Sequence, residues 1–126
     1  MGLSTGIYLK REGTRYDEAL VAEVSSVVGA TLRNESPGSD NPVFEVVTDG
    51  VGCALMETDP SFDPRFASYE IALALLGTRD DEHRVRLAKR FARGLEAAGF
   101  DVVVEDEALD IVDHHAPDVP TPGRES

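Results

Sequence analysis

Apolar and polar positions alternate with a period of two in three stretches of the chain, the pattern of strands buried on one face. In "GIYLKRE", Ile7 and Leu9 alternate with Tyr8 and Lys10; in "YEIALALL", Tyr69, Ile71, Leu73 and Leu75 share a face. "FDVVVED" (Phe100 to Asp106) is a third strand, and "ATLRNE" (Ala30 to Glu35) is a weaker fourth. "PVFEVVTDGVGCALMET" reads as a hairpin, because Asp49-Gly50 is a two-residue turn signal between alternating runs. Two proline-containing loops, "NESPGSDNP" and "DPSFDPRFAS", flank it.

Two segments carry the helical period instead. From Arg15 to Val28, Leu20, Val24, Val27 and Val28 form one stripe, and Gly29 ends it. From Arg79 to Ala98, Leu87, Ala88, Phe91, Ala92, Leu95 and Ala98 fall on one arc, with Gly99 as the stop. Each helix opens on a repeated segment, "GTRYDE" at Gly13 and "GTRDDE" at Gly77, identical at five of six positions. Thr14 and Thr78 are the expected N-caps, with Asp17 and Asp81 near the capping-box spacing. An anion cradle at Gly-Thr-Arg is the alternative, opposed by the adjacent acids.

Two β-α-β units related by this repeat predict an α+β fold, a ferredoxin-like plait with a central β-hairpin. Its two helices would cover one face of a mainly antiparallel sheet. The expected organisation is one α/β domain over residues 1–107 and a flexible, acidic, proline-containing tail over residues 108–126.

Charge changes the functional picture most. The chain has 126 residues and carries 24 acids against 12 bases, a net charge of −12. Nucleic-acid binding, which needs cations to displace counterions, is not expected. Two explanations of the acidity compete, a basic protein partner and a surface adapted to a salty or high-GC source, and composition alone favours the second. No apolar run approaches a membrane span and the first residues do not form a signal peptide, so a cytoplasmic protein without membrane contact is expected. Cys53, the single cysteine, sits in an alternating apolar stretch as a small buried hydrophobe.

One segment carries possible chemistry. "VDHHAPD" resembles the Asp-His-His motif of the DHH phosphoesterases, which bind a pair of divalent ions, commonly manganese. By that resemblance Asp113 and His114 are metal-site candidates and His115 is the next residue of the motif. Asp49 in "VVTDGVGCAL" takes the place of the family's earlier metal-binding aspartate. The resemblance covers about ten residues and implies a metal phosphoesterase fragment. No phosphate loop, dinucleotide loop, nucleophile elbow or Cys-x-x-Cys pair occurs, so no cofactor is expected.

The reading these residues favour is a non-catalytic acidic interaction module, neutralising a basic partner as small toxin-immunity proteins do. Asp40, Glu57, Asp59 and Asp63, from the flanking loops and the hairpin end, would carry the contact. Glu57, Asp59 and Asp63 also offer oxygens to calcium, without the spacing of an EF-hand loop. The alternative is a plait that binds an anionic ligand, or an enzyme, using the basic stripe Arg86, Lys89, Arg90 and Arg93. That stripe is otherwise the solvated face of an amphipathic helix. Homodimerisation, which plait sheets often show, is open in either case.

Overall fold

Strand β1 (Thr5–Lys10) lies inside the sheet because both of its edges are paired, with β5 (Ile71–Leu76) on one side and β6 (Asp101–Asp106) on the other. The computed structural model describes residues 4–35, 37–38, 40, 42–58, 69–76, 80–106 and 110–115; the side chains of Asp81 and of residues 110–115 fall outside the description. The remaining elements are α1 (Glu18–Val28), β2 (Arg33–Asn34), β3 (Phe44–Thr48), β4 (Val51–Glu57), α2 (Asp81–Ala97) and β7 (Asp110–His115). Among the described residues the strand order is β2-β3-β4-β5-β1-β6-β7, and every neighbouring pair is antiparallel.

The fold is therefore α+β, with two helices and an open antiparallel sheet. Its seven-strand order is not that of a four-stranded plait. Antiparallel pairing makes β1 and β4 run the same way with β5 between them, and β5 and β6 run the same way with β1 between them. The strand that returns parallel to β1 after α1 is thus β4, where "ATLRNE" was expected. That segment contributes only Arg33 and Asn34, both exposed, to an edge strand on β3. With Leu32 its one large apolar residue, it has no face to bury in the sheet interior.

A second departure concerns the expected tail. Asp110–His115 is strand β7, paired antiparallel with β6 through Val102↔His115, Val103↔His114 and Val104↔Asp113. A register shift lies between Val104 and Glu105. No glycine or asparagine marks a turn between β6 and β7, and the pairing is not written in a local signal.

Alternation works as the hydrophobic pattern requires. Ile7, Leu9, Cys53, Leu55, Leu73, Leu75, Val102 and Val104 join one core with Leu20, Val24 and Val28 of α1 and Leu87, Phe91 and Leu95 of α2. One alternating set of strand residues thus meets both helices. At Gly94 the helices come so close that an added Cβ would lie 2.8 Å from Val27 Cγ1. The hairpin turn forms at Asp49 and Gly50, both with positive φ, 53° and 75°. Gly29 ends α1 in the left-handed conformation, its N–H donating to the Ser25 carbonyl.

The helix starts differ from expectation. Asp17 and Asp80 are the N-caps, accepting from the Leu20 and His83 backbone N–H groups, each at 3.0 Å. A carboxylate at this position satisfies an orphan amide and meets the positive helix end, so it does more than a threonine hydroxyl. Thr14 instead accepts from Arg11 Nε, and Thr78 lies outside the described residues. The Tyr16 hydroxyl reaches the carbonyls of Pro42 and Leu55, which keeps the chain before Asp17 out of the helix.

A charged pair closes one end of the core. Arg84 of α2 and Asp106 of β6 meet at 2.6 Å with both side chains fully buried, and Thr5 of β1 completes the triangle. No buried side-chain nitrogen or oxygen among the described residues lacks a partner. Asp106→Asn should leave the Arg84 charge uncompensated and cost about 3–5 kcal/mol. Chemical denaturation of the variant checks this, and a loss within about 1 kcal/mol would show that the pair does not anchor the fold.

Candidate interaction surface

The face of the sheet opposite the helices carries the residues that alternate with the core. Register places them in rows across the strands. One row runs Glu45, Ala54, Ala74, Gly6 and Glu105, and the next Met56, Ala72, Tyr8 and Val103. A third sets Val47, Gly52 and Leu76 side by side. Tyr8, Tyr69 and Val103 form a small apolar cluster on this face, with the Lys10 ammonium 4.6 Å from the Tyr69 ring centroid.

Exposed carboxylates gather on the β2-β3-β4 side. Glu35, Asp40, Glu45 and Glu57 are all exposed, and among the described residues none forms an ion pair within 4 Å. Glu35 donates its backbone N–H to Val43, and Phe44 faces Leu55, so Glu35, Asp40 and Glu57 belong to the sheet end remote from the Asp49-Gly50 turn. Glu57 alternates with Val51, Cys53 and Leu55 and so falls on the helix side of the sheet, whereas Glu45, between Phe44 and Val46, falls on the other. Asp59 and Asp63 lie outside the described residues. A shallow cleft of about 380 Å³ is lined by Arg33, Glu35, Glu45, Val46, Val47 and Gly52.

The other predicted groups are not brought together in the same way. Arg86, Arg90 and Arg93 are exposed on α2 and Lys89 is half-buried. Arg86 is 3.7 Å from Glu82, and Arg90 is 3.2 Å from Asp49. Asp113, His114 and His115 have their backbone in edge strand β7; their side chains lie outside the described residues. Asp49 sits at the β3-β4 turn, and β4 is four strand positions from β7, on the order of 19 Å at about 4.8 Å per strand. The two segments resembling phosphoesterase motifs therefore do not converge. Among the described residues no group of three or more His, Cys, Asp or Glu is placed to hold a metal.

One thiol and two phenols are shifted toward their neutral forms. Burial, aided by the charge of Asp49, pushes the Cys53 thiol up to about 11. Burial likewise raises the phenols of Tyr16 and Tyr69 to about 12, with Glu57 adding to the first and Asp101 to the second. A second cleft, about 470 Å³, is lined by Lys10, Arg11, Glu12, Thr14, Glu70 and Asp101 among others. Arg11 there is committed: it forms a two-pronged bond to Glu23 at 2.7 and 2.8 Å, donates to Thr14 and to the Ala98 carbonyl, and stacks on Phe100. What sequence reasoning missed is the Val47-Gly52-Leu76 row, whose only local sign is a glycine inside a strand.

No protein-family model matches the chain, and no curated protein or solved structure shows significant similarity to it.

Two measurements follow from these environments. The Arg11 hydrogen bond lowers the Glu23 carboxyl below its usual range and raises Arg11. A depressed folded pKa contributes stability above the unfolded value of about 4.3, lost as pH falls through the folded one. Both side chains are partly exposed, 28% and 36%, so solvent screening keeps the pair near 0.5–1 kcal/mol. Glu23→Gln should be less stable than wild type by that amount at neutral pH, and the gap should close in acid. A gap that persists below the carboxylate range would refute the charge origin. Cys53, for its part, should react with a disulfide reagent at least about a hundredfold more slowly in the folded chain than in denaturant. Comparable rates would place the thiol at the surface.

Proposed function

We propose that the chain is a non-catalytic, acidic protein-interaction module that docks on a basic protein partner, in the manner of a small toxin-immunity protein. The observation that carries this reading is a stretch of exposed acids with almost no bases among them. Residues 31–58 hold Glu35, Asp40, Glu45, Asp49 and Glu57, all exposed, against Arg33 as the single base. Asp49 is answered by Arg90 and Glu45 stands opposite Arg33 in the β2-β3 register, which leaves Glu35, Asp40 and Glu57 to set the field of the sheet end remote from the turn. Clustered carboxylates of one sign steer a cationic partner and reject acidic ones.

The anionic-ligand reading of α2 has less support. Two of its four cations already face carboxylates of the same chain, and Arg86 and Arg90 are 72% and 65% exposed. A solvated stripe of this kind has no enclosing wall to desolvate an anion. As for the fold, we read β4-β5-β1-β6 as a plait-like core to which β2, β3 and β7 have been added at the edges. The two crossovers, through α1 and α2, support that reading.

The test is affinity capture from the native lysate with wild type and with a charge-reversed variant (Glu35→Lys, Asp40→Lys, Glu45→Lys, Glu57→Lys). All four positions are exposed, so the fold should persist, as melting of the variant will verify. A basic protein should bind wild type at low salt, be lost at about 1 M salt, where the Debye length is about 3 Å, and fail to bind the variant. Equal retention by the variant, retention at high salt, or no basic protein at all would each overturn the proposal.

A further inference from the structure

We propose that the notch over Gly52, between Val47 and Leu76, seats one apolar side chain of a basic partner, whose Lys or Arg residues lie against Glu45 and Glu35. This inference rests on the acidic-module reading and names the surface it uses. Val47 and Leu76 are the exposed large hydrophobic residues among those described, at 73% and 42%. Register brings both into one row on the helix-free face, separated only by Gly52. Two strand spacings put them about 10 Å apart, room for one side chain between them.

Among the described residues nothing in the backbone conformation demands glycine at position 52. Its φ lies outside the left-handed region, and an added Cβ would meet, among those residues, the Leu76 carbonyl oxygen at 3.4 Å, the near edge of van der Waals contact. Glycine weakens a strand interior and often marks a bulge, a bend or a close approach of a ligand or another backbone; the register through Gly52 is unbroken, which leaves the close approach. Substitution by a larger residue would fill the notch from within.

Charge selects the occupant. Glu45 is two residues from Val47 on the same strand face, about 7 Å away, and Glu35 lines the same cleft with Arg33 as its one cation. A second copy of the chain would bring its own net charge of −12 against these carboxylates. A partner presenting an apolar residue flanked by Lys or Arg meets both features. Apolar burial would give the contact its residence time, and the carboxylates its rate and selectivity.

Two synthetic peptides of alternating Lys and Arg, one with a central Leu and one with Ser in its place, are titrated into the full chain at low salt. Backbone amide NMR shifts report site and affinity together. The Leu peptide should bind at least fivefold tighter than the Ser peptide, with shifts at Val47, Gly52, Leu76 and Glu45. Gly52→Leu, its fold verified by melting, should erase that preference and leave the Ser peptide unchanged. Equal affinities with shifts confined to Asp40 and Glu57 would overturn the notch and leave the acidic module standing. No binding of either peptide would overturn both. Concentration-dependent dimerisation abolished by Val47→Asp would give the notch to a second copy and overturn the basic partner.

Discussion

The buried bond between Arg84 and Asp106 is the constraint on which the arrangement of the core depends. It joins α2 to β6 and, through Thr5, to β1, the strand paired on both sides. A guanidinium taken wholly out of water is tolerated only where its charge and its N–H groups are met. The requirement fixes the rotation of α2. With Arg84 turned inward, Leu87, Ala88, Phe91 and Leu95 follow it onto the sheet, and Arg86, Arg90 and Arg93 are left in solvent. The basic stripe is in this sense a by-product of how the helix is anchored.

The two faces of the sheet answer to different demands. Toward the helices, large aliphatic side chains interdigitate, and close approach of α1 to α2 is possible because position 94 is glycine. On the other face small residues prevail: Gly6, Gly52, Ala54, Ala72 and Ala74 occupy the middle of three rows. Gly6 has an internal explanation, since the Tyr8 ring lies over it and an added Cβ would meet that ring at 3.2 Å. Among the described residues no side chain lies over Gly52 in the same way.

The elements with a strong local period were legible in the sequence. β1, β4, β5, β6, the apolar arcs of both helices, the Asp49-Gly50 turn and the Gly29 stop needed only neighbouring residues to specify them. What was not legible depends on distant pairing. β7 exists because β6 offers an edge, and "ATLRNE" yields little strand because β4, after a hairpin, takes the inner position. Arg84 was given no role in the sequence, although its spacing from Ala88, Phe91 and Leu95 puts it on the apolar arc. Asp40 and Glu57 were legible as exposed acids. The Val47-Gly52-Leu76 row was not, because three strands from separate parts of the chain must be aligned before it appears.

The β3-β4 hairpin and the basic helix are latched together at the turn. The β3-β4 turn docks on α2, where His83 Nε2 donates to the Asp49 carbonyl at 3.0 Å and Arg90 meets the Asp49 carboxylate at 3.2 Å. These contacts spend part of the helix's positive charge on the turn, and they tie down the hairpin end that carries Val47 and Gly52. Asp40 and Glu57, away from the turn, form no ion pair with α2 among the described residues. The fold thus compensates charge where the hairpin turn meets α2, and among the described residues leaves Asp40 and Glu57 without an ion pair within 4 Å.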